Sequence, residues 1–213
     1  MVKLKRNFRF KDIITGHILE NLKEYTLVTI LFIIGVIIGV IFINNISNNQ
    51  MNEINTYINS FIDVAKNGTS INSLELLKNS IIQNTILAII LWFVGSTLIG
   101  LPIVYGIVAF RGFCLGYTIS VVISILGSAK GMIFVSTAML LQNVIFIPCV
   151  FALAVSGTRL YKAIMKDKRK ENIKLAIIKH TMFSLLICII LVISSFVEVY
   201  ISTNIFYACL RFI

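Results

Sequence analysis

Charged and amide side chains are rare inside the apolar stretches of this sequence. Arg111 and Glu198 are single charges within long apolar runs, and Gln142 and Asn143 are adjacent amides in another such run. Groups of this kind are costly in apolar surroundings unless they are paired, hydrogen-bonded, protonated or in contact with water. They could line a path for an ion or polar solute, or they could join helices, the role we favour for the amide pair. Lys130, in a short turn, is a fifth candidate, as a charged partner for Glu198.

The rest of the sequence contains no residue pattern typical of catalysis or metal binding. His17 and His180 are far apart in the sequence and belong to no HExxH motif. The glycine spacing of Gly95–Gly100 fits a phosphate loop, but Leu101 and Pro102 follow where lysine and serine or threonine are required. We therefore expect no enzyme activity, no cofactor and no metal. The four cysteines have no CxxC spacing and are expected to pack as small core residues: Cys114, Cys149, Cys188 and Cys209.

The composition places these side chains in a membrane. Of the 213 residues, 58% are hydrophobic and only 13% are charged, whereas soluble domains average about 25% charged residues. A soluble fold of this length could not bury so much apolar surface. The apolar runs are continuous rather than alternating, which favours helices over a β-barrel. The predicted fold class is therefore all-α, a polytopic helical membrane protein that forms a single domain over residues 1–213.

Five apolar segments are long enough to cross a hydrocarbon core of roughly 30 Å. Spans two and three are separated by a predicted helix break at Gly100–Pro102. A second interpretation makes residues 102–110 a short re-entrant piece, which would leave only Gly112 to Leu126 for span three. The predicted spans are Thr26–Ile43, Ile81–Ile99, Ile103–Leu126, Met132–Thr158 and Thr181–Thr203.

The helix rise predicts the depth of the two charges that lie within spans. Arg111 falls inward of the middle of span three, where it could anchor the helix at the inner interface. Glu198 falls outward of the middle of span five. Straight helices would separate the two residues by roughly 15 Å in depth. A direct ion pair between them is therefore not expected, which is why Lys130 is the preferred partner of Glu198.

Three polar segments flank the spans. Residues 1–25 are basic with one apolar face, as expected of an amphipathic helix on anionic lipids. Residues 44–80 form a polar loop in which Ile54, Tyr57, Ile58, Phe61 and Ala65 mark one face of a helix. That face could pack on the chain itself, on the bilayer or on a partner. Residues 159–180 are strongly basic, and next to membrane spans this charge favours lipid over nucleic acid.

The charge distribution predicts the topology. Residues 1–25 and 159–180 together carry 14 of the 19 Lys and Arg residues, and Arg111 adds one more near the same side. Only Lys66, Lys78, Lys130 and Arg211 fall on the other side. The positive-inside rule then places the N-terminus inside and the C-terminus outside. Residues 44–80 are accordingly extracytoplasmic, and residues 159–180 are cytoplasmic.

Small residues and prolines predict where helices pack closely or break. Gly35 and Gly39 form one GxxxG face, and Gly112 and Gly116 form another, so that a homodimer is plausible. The packing and helix-break residues are Gly35, Gly39, Gly95, Gly100, Pro102, Gly112, Gly116 and Pro148.

Four motifs in this order resemble the stage II sporulation protein M family. They are WFVGSTLIGLP at Trp92–Pro102, FRGFCLG at Phe110–Gly116, LLQNVIFIP at Leu140–Pro148 and VEVYIS at Val197–Ser202. The five-span layout also fits, so that the resemblance covers nearly the whole chain.

The resemblance implies a function in sporulation. It implies a multi-pass membrane protein of the mother cell that acts at the septum during engulfment of the forespore. It also implies that the protein localises or holds two peptidoglycan-degrading partners, sporulation proteins D and P, as a non-catalytic scaffold. The alternative from the residues themselves is a transporter or channel-like subunit, since broken helices and intramembrane charges are typical of such proteins.

Overall fold

A computed structural model describes residues 18–66, 72–97, 99–166 and 170–209. Every regular element in these ranges is a helix. Most of the basic segment 1–25 lies outside the described residues. The predicted turn at Asn67 and Gly68 also lies outside the described residues. Residues 167–169, at the centre of the basic segment 159–180, lie outside them as well.

Eight α-helices and two π-helical turns follow one another along the described chain. The first four α-helices are α1 Leu22–Asn44, α2 Asn48–Lys66, α3 Ser73–Gly95 and α4 Gly100–Leu126. The fourth span and its entry comprise α5 Ser128–Val135, a π-helical turn Ser136–Leu140 and α6 Leu141–Lys166. The last three elements are α7 Lys170–Val197, a second π-helical turn Glu198–Ser202 and α8 Thr203–Cys209.

Five helical segments among the described residues are long and apolar enough to span a membrane, which confirms the predicted fold class. They are α1, α3, α4, the stretch Gln142–Met165 within α6, and the stretch Ile173–Ala208, which includes most of α7, the second π turn and most of α8. The helices continue into polar sequence beyond the predicted apolar runs, because their backbone hydrogen bonds form equally well with polar side chains. The inside and outside assignment of the termini stays a prediction.

The break between spans two and three lies earlier than predicted. Helix α3 ends at Gly95, where the Ser96 hydroxyl donates to the carbonyl of Trp92 at 2.7 Å. Helix α4 begins at Gly100, so that Pro102 occupies its first turn, where a missing N–H costs nothing. Because α4 then runs without interruption, the interpretation of residues 102–110 as a re-entrant piece is wrong.

Pro148 does not break its helix. Helix α6 continues through it from Leu141 to Lys166, with Pro148 on the exposed side. The irregularity of span four lies instead at the π-helical turn Ser136–Leu140, immediately before α6. Pro148, which the sequence placed among the packing and helix-break residues, therefore does not end a helix.

Spans one and three pack through their two GxxxG faces. Gly35 and Gly39 on α1 and Gly112 and Gly116 on α4 are all buried. A Cβ atom on Gly39 would lie 2.8 Å from the backbone nitrogen of Tyr117, so the two backbones are in direct contact. These faces are occupied within one chain, and they cannot also form the homodimer interface that their spacing suggested.

Helix α6 lies at the centre of the bundle. Its apolar stretch is 56% buried, against 22–33% for the other four spans. Leu153 and Val155 of α6 are fully enclosed, together with Leu91 of α3 and Leu191 of α7. Buried side chains of α6 can therefore contact residues from several other spans.

The amphipathic helix predicted within residues 44–80 is α2, and it packs on its own chain. Ile62 is buried in a cluster with Phe134 and Phe206, and the ring of Phe61 stacks on that of Phe206 with centroids 6.0 Å apart. The apolar face of α2 could have packed on the chain, the bilayer or a partner. In the structure it packs against the ends of spans three, four and five. Tyr57 faces away from the bundle and is 74% exposed.

Candidate functional site

A polar cavity of about 250 Å³ lies among the spans. All five spans contribute to its wall, since Phe32 of α1 joins residues from the other four. Its volume is large enough for several water molecules. The polar side chains that line it are Gln83, Asn84, Arg111, Thr118, Gln142, Asn143 and Glu198.

The Glu198 carboxyl group joins three spans at this cavity. The Ser80 hydroxyl of span two donates a hydrogen bond to Oε2 of Glu198. The side-chain amide of Gln142, in span four, donates to the same oxygen at 2.7 Å. A carboxyl group at membrane depth is costly unless such donors surround it. The two neutral donors therefore stabilise Glu198 and connect the spans at the same time.

Two π-helical turns lie beside these side chains, Ser136–Leu140 shortly before Gln142 and Glu198–Ser202 beginning at Glu198. A π turn adds one residue to a helical turn and so rotates the following side chains relative to a regular α-helix. Thr203 completes the second π turn, because both its backbone N–H and its hydroxyl donate to the carbonyl of Glu198.

Arg111 lines the same cavity but does not bind Glu198. Its guanidinium carbon lies 5.1 Å from the centre of the Phe146 ring, a cation–π arrangement. No carboxylate among the described residues lies within 4.0 Å of its nitrogens. The sequence correctly excluded a direct ion pair. It was wrong to make Arg111 an interface anchor, because the side chain lies along the interior wall.

Two other amides of the cavity, Asn84 and Asn143, form hydrogen bonds as well. Asn84 donates to the Ser195 hydroxyl at 2.8 Å, which connects spans two and five a second time. Asn143 donates to the backbone carbonyl of Met139 at 2.8 Å, within its own helix. Of the adjacent pair, Gln142 therefore connects helices, whereas Asn143 stabilises the π turn before it.

Lys130 lies apart from this cavity. It is exposed on α5, just after Gly127, whose positive φ of 80° makes the turn between α4 and α5. Its amine forms no ion pair with Glu198, so the predicted pairing of the two was wrong. Glu198 instead accepts hydrogen bonds from the neutral donors Ser80 and Gln142.

Sequence reasoning missed Ser80, Asn84 and Ser195. Ser80 and Ser195 change the hydropathy of their apolar runs little, and Asn84 is a single amide within such a run. One signal was available: Ser80 and Asn84 are four residues apart and therefore share one helix face. That spacing predicts a polar stripe on span two.

The chemistry of the cavity is that of hydrogen-bonded neutral and charged groups. Within residues 18–66, 72–97, 99–166 and 170–209, no three His, Cys, Asp or Glu side chains lie close enough to hold a metal ion together. The carboxyl and guanidinium groups could bind water or a polar solute, and the amides could orient it.

Comparison with known proteins gives one match. The family model of stage II sporulation protein M matches residues 28–203, which include all the cavity residues described above. Curated proteins gave no match, and neither did solved structures. Since the matched region covers well over half of the sequence, the chain belongs to the stage II sporulation protein M family.

Proposed function

We propose that this sporulation membrane protein is a non-catalytic scaffold. It holds peptidoglycan-degrading partners, sporulation proteins D and P, at the septal membrane of the mother cell while the forespore is engulfed. Family membership supports the general function in sporulation. The two partners and the septal location are implied by the resemblance to this family, and they are what we propose for this protein.

The observation that carries the proposal is that the Glu198 carboxyl group connects three spans by hydrogen bonds. Its oxygen accepts hydrogen bonds from Ser80 and Gln142, and the nearby Asn84 binds Ser195. These polar groups connect spans to one another, as polar side chains do in packed membrane helices. Together with the glycine contacts of spans one and three, they support a bundle of fixed shape. A fixed bundle is what a scaffold requires.

The surface best suited to recruit these partners is α2. Under the predicted topology it lies outside the membrane, on the side where peptidoglycan is found. Ile62 and Phe61 fix the helix to the bundle, so Tyr57 is presented outward on a supported helix. Exposed aromatic residues are over-represented at the centres of protein interfaces.

Recovery of both partners from sporulating membranes tests the proposal. Full-length protein with Tyr57→Ala should be present at the normal level but should bring down less of proteins D and P. Tyr200→Ala is the matched control, because Tyr200 is also exposed but lies on a spanning helix. Unchanged recovery with both Tyr57→Ala and a deletion of residues 52–65 would contradict recruitment through α2. Failure of the unaltered protein to bring down either partner would contradict the scaffold itself.

One observation favours a second function, that of a transporter or channel-like subunit. The cavity holds Arg111 and Glu198 without an ion pair between them, and intramembrane charges at a cavity are typical of solute and proton paths. The two functions differ in what they require of the Glu198 carboxylate. A hydrogen-bonded connection needs only an acceptor oxygen, whereas a path for protons or cations needs the ionisable group.

A further inference from the structure

A second polar cavity, of about 280 Å³, lies between α6 and α7. His180 in its wall precedes Glu198 by 18 residues on the same span, which corresponds to roughly 27 Å along a helix. The two cavities are therefore separated by nearly the thickness of a hydrocarbon core of about 30 Å. His180 directly precedes the predicted start of span five at Thr181, so the predicted spans place the second cavity where lipid headgroups begin.

Basic side chains form the rim of this cavity. Arg159 of α6 and Lys179 of α7 both line it and are exposed. Arg159 has one carboxylate nearby, that of Glu20 at 3.7 Å, and Glu20 is itself largely exposed. Lys179 has no carboxylate within 4.0 Å among the described residues. The rim therefore has an excess of positive charge.

The inner wall combines fixed polar groups with apolar side chains. His180 is 3% exposed, and its Nδ1 forms a 2.8 Å hydrogen bond with the Ser156 hydroxyl. The buried position of both residues fixes this pair between the helices. Leu160 and Phe183 supply apolar surface in the same cavity. A charged rim above an apolar wall is complementary to an amphiphile with an anionic head.

We propose that this cavity binds the phosphate group of one anionic phospholipid, with its glycerol and upper acyl chain against the apolar wall. Basic cavities between spanning helices at the cytoplasmic face recognise anionic lipid headgroups through the same combination of charge and shape. The ligand would bind α6 and α7 together. The inference concerns a discrete lipid site and does not depend on the scaffold function.

Titration of the full-length protein in neutral detergent tests the site. The probes are dioctanoyl phosphatidylglycerol and dioctanoyl phosphatidylcholine, with bound lipid counted by native mass spectrometry. Phosphatidylglycerol should bind with one tight site, and Lys179→Gln should weaken it about fivefold, the loss expected for one basic group at a lipid headgroup. Lys174→Gln removes the same charge from an exposed position on the same helix outside the cavity, and it should leave that site unchanged.

A second variant separates the cavity from general surface charge. Ala176 lines the cavity, so Ala176→Leu should fill it and abolish the tight site while every charge is kept. Equal weakening by Lys174→Gln and Lys179→Gln would overturn the proposal, since it would mean diffuse attraction to the basic face. Equal binding of phosphatidylcholine, or binding of inorganic phosphate that phosphatidylglycerol cannot displace, would also overturn it.

Discussion

Replacing Glu198 with alanine should loosen the contacts among spans two, four and five. The Ser80 hydroxyl, which is buried, and the Gln142 amide would both lose their acceptor. Interhelical hydrogen bonds in membrane proteins average about 0.6 kcal/mol and reach about 1.7 kcal/mol. Two of them give an expected loss of about 1–3 kcal/mol in the free energy of unfolding. Because both donors use one oxygen, Glu198→Gln retains the acceptor and should cost less than about 1 kcal/mol.

The assay is unfolding of the full-length protein in mixed micelles by titration with sodium dodecyl sulfate. Helix content and the fluorescence of Trp92, the single tryptophan, report the transition. Ile193→Ala is the control, because its side chain is exposed on the same span and should change little. A double-mutant cycle of Glu198→Ala with Gln142→Ala should give a coupling energy of about 0.6 kcal/mol.

Two results would refute this reasoning. Unchanged stability of Glu198→Ala would mean that the hydrogen bonds do not hold the spans together. An equal loss for Glu198→Gln and Glu198→Ala would mean that the negative charge, rather than the acceptor oxygen, is responsible. The second result would favour a water-mediated attraction between Arg111 and Glu198 across the cavity.

Three further predictions concern the packing and the cavity. Gly39→Leu should destabilise the protein by about 1–3 kcal/mol in the same unfolding assay, because the leucine side chain would overlap the backbone of α4. Gly106→Ala is the control and should be tolerated, because there is open space beside Gly106. A small methanethiosulfonate reagent should modify Cys114, which lines the cavity, faster than the buried Cys149, and equal rates would contradict a water-accessible cavity. Phe61→Ala should weaken docking of α2 by about 1–2 kcal/mol, seen as faster amide hydrogen exchange in α2 with the spans unaffected.

The spans could be predicted from the sequence because long apolar runs have few stable alternatives in lipid. The exact end of span two could not, because it depends on side chains that bond back to the last helical turn. Ser96 and Thr97 do this at α3, three to four residues before Gly100, where the sequence suggested the break. Turn residues mark the neighbourhood of a break, whereas local hydrogen bonds decide its position.

The candidate site was predictable in part. Single polar residues within apolar runs pointed to Glu198 and Gln142, but not to the arrangement that joins them. The π turn Ser136–Leu140 precedes Gln142 and shifts the register of the side chains that follow it, and the apolar run that contains it does not reveal this shift. The GxxxG faces at Gly35/Gly39 and Gly112/Gly116 suggest a homodimer from spacing alone, because spacing does not reveal that spans one and three are neighbours.

The most direct test of the central claim is Glu198→Gln in sporulating cells, with engulfment scored by membrane staining and proteins D and P recovered with the variant. A scaffold whose carboxylate serves as a hydrogen-bond acceptor predicts nearly normal engulfment and full recovery of both partners. Arrested engulfment with both partners still recovered would contradict the account and assign the cavity to transport.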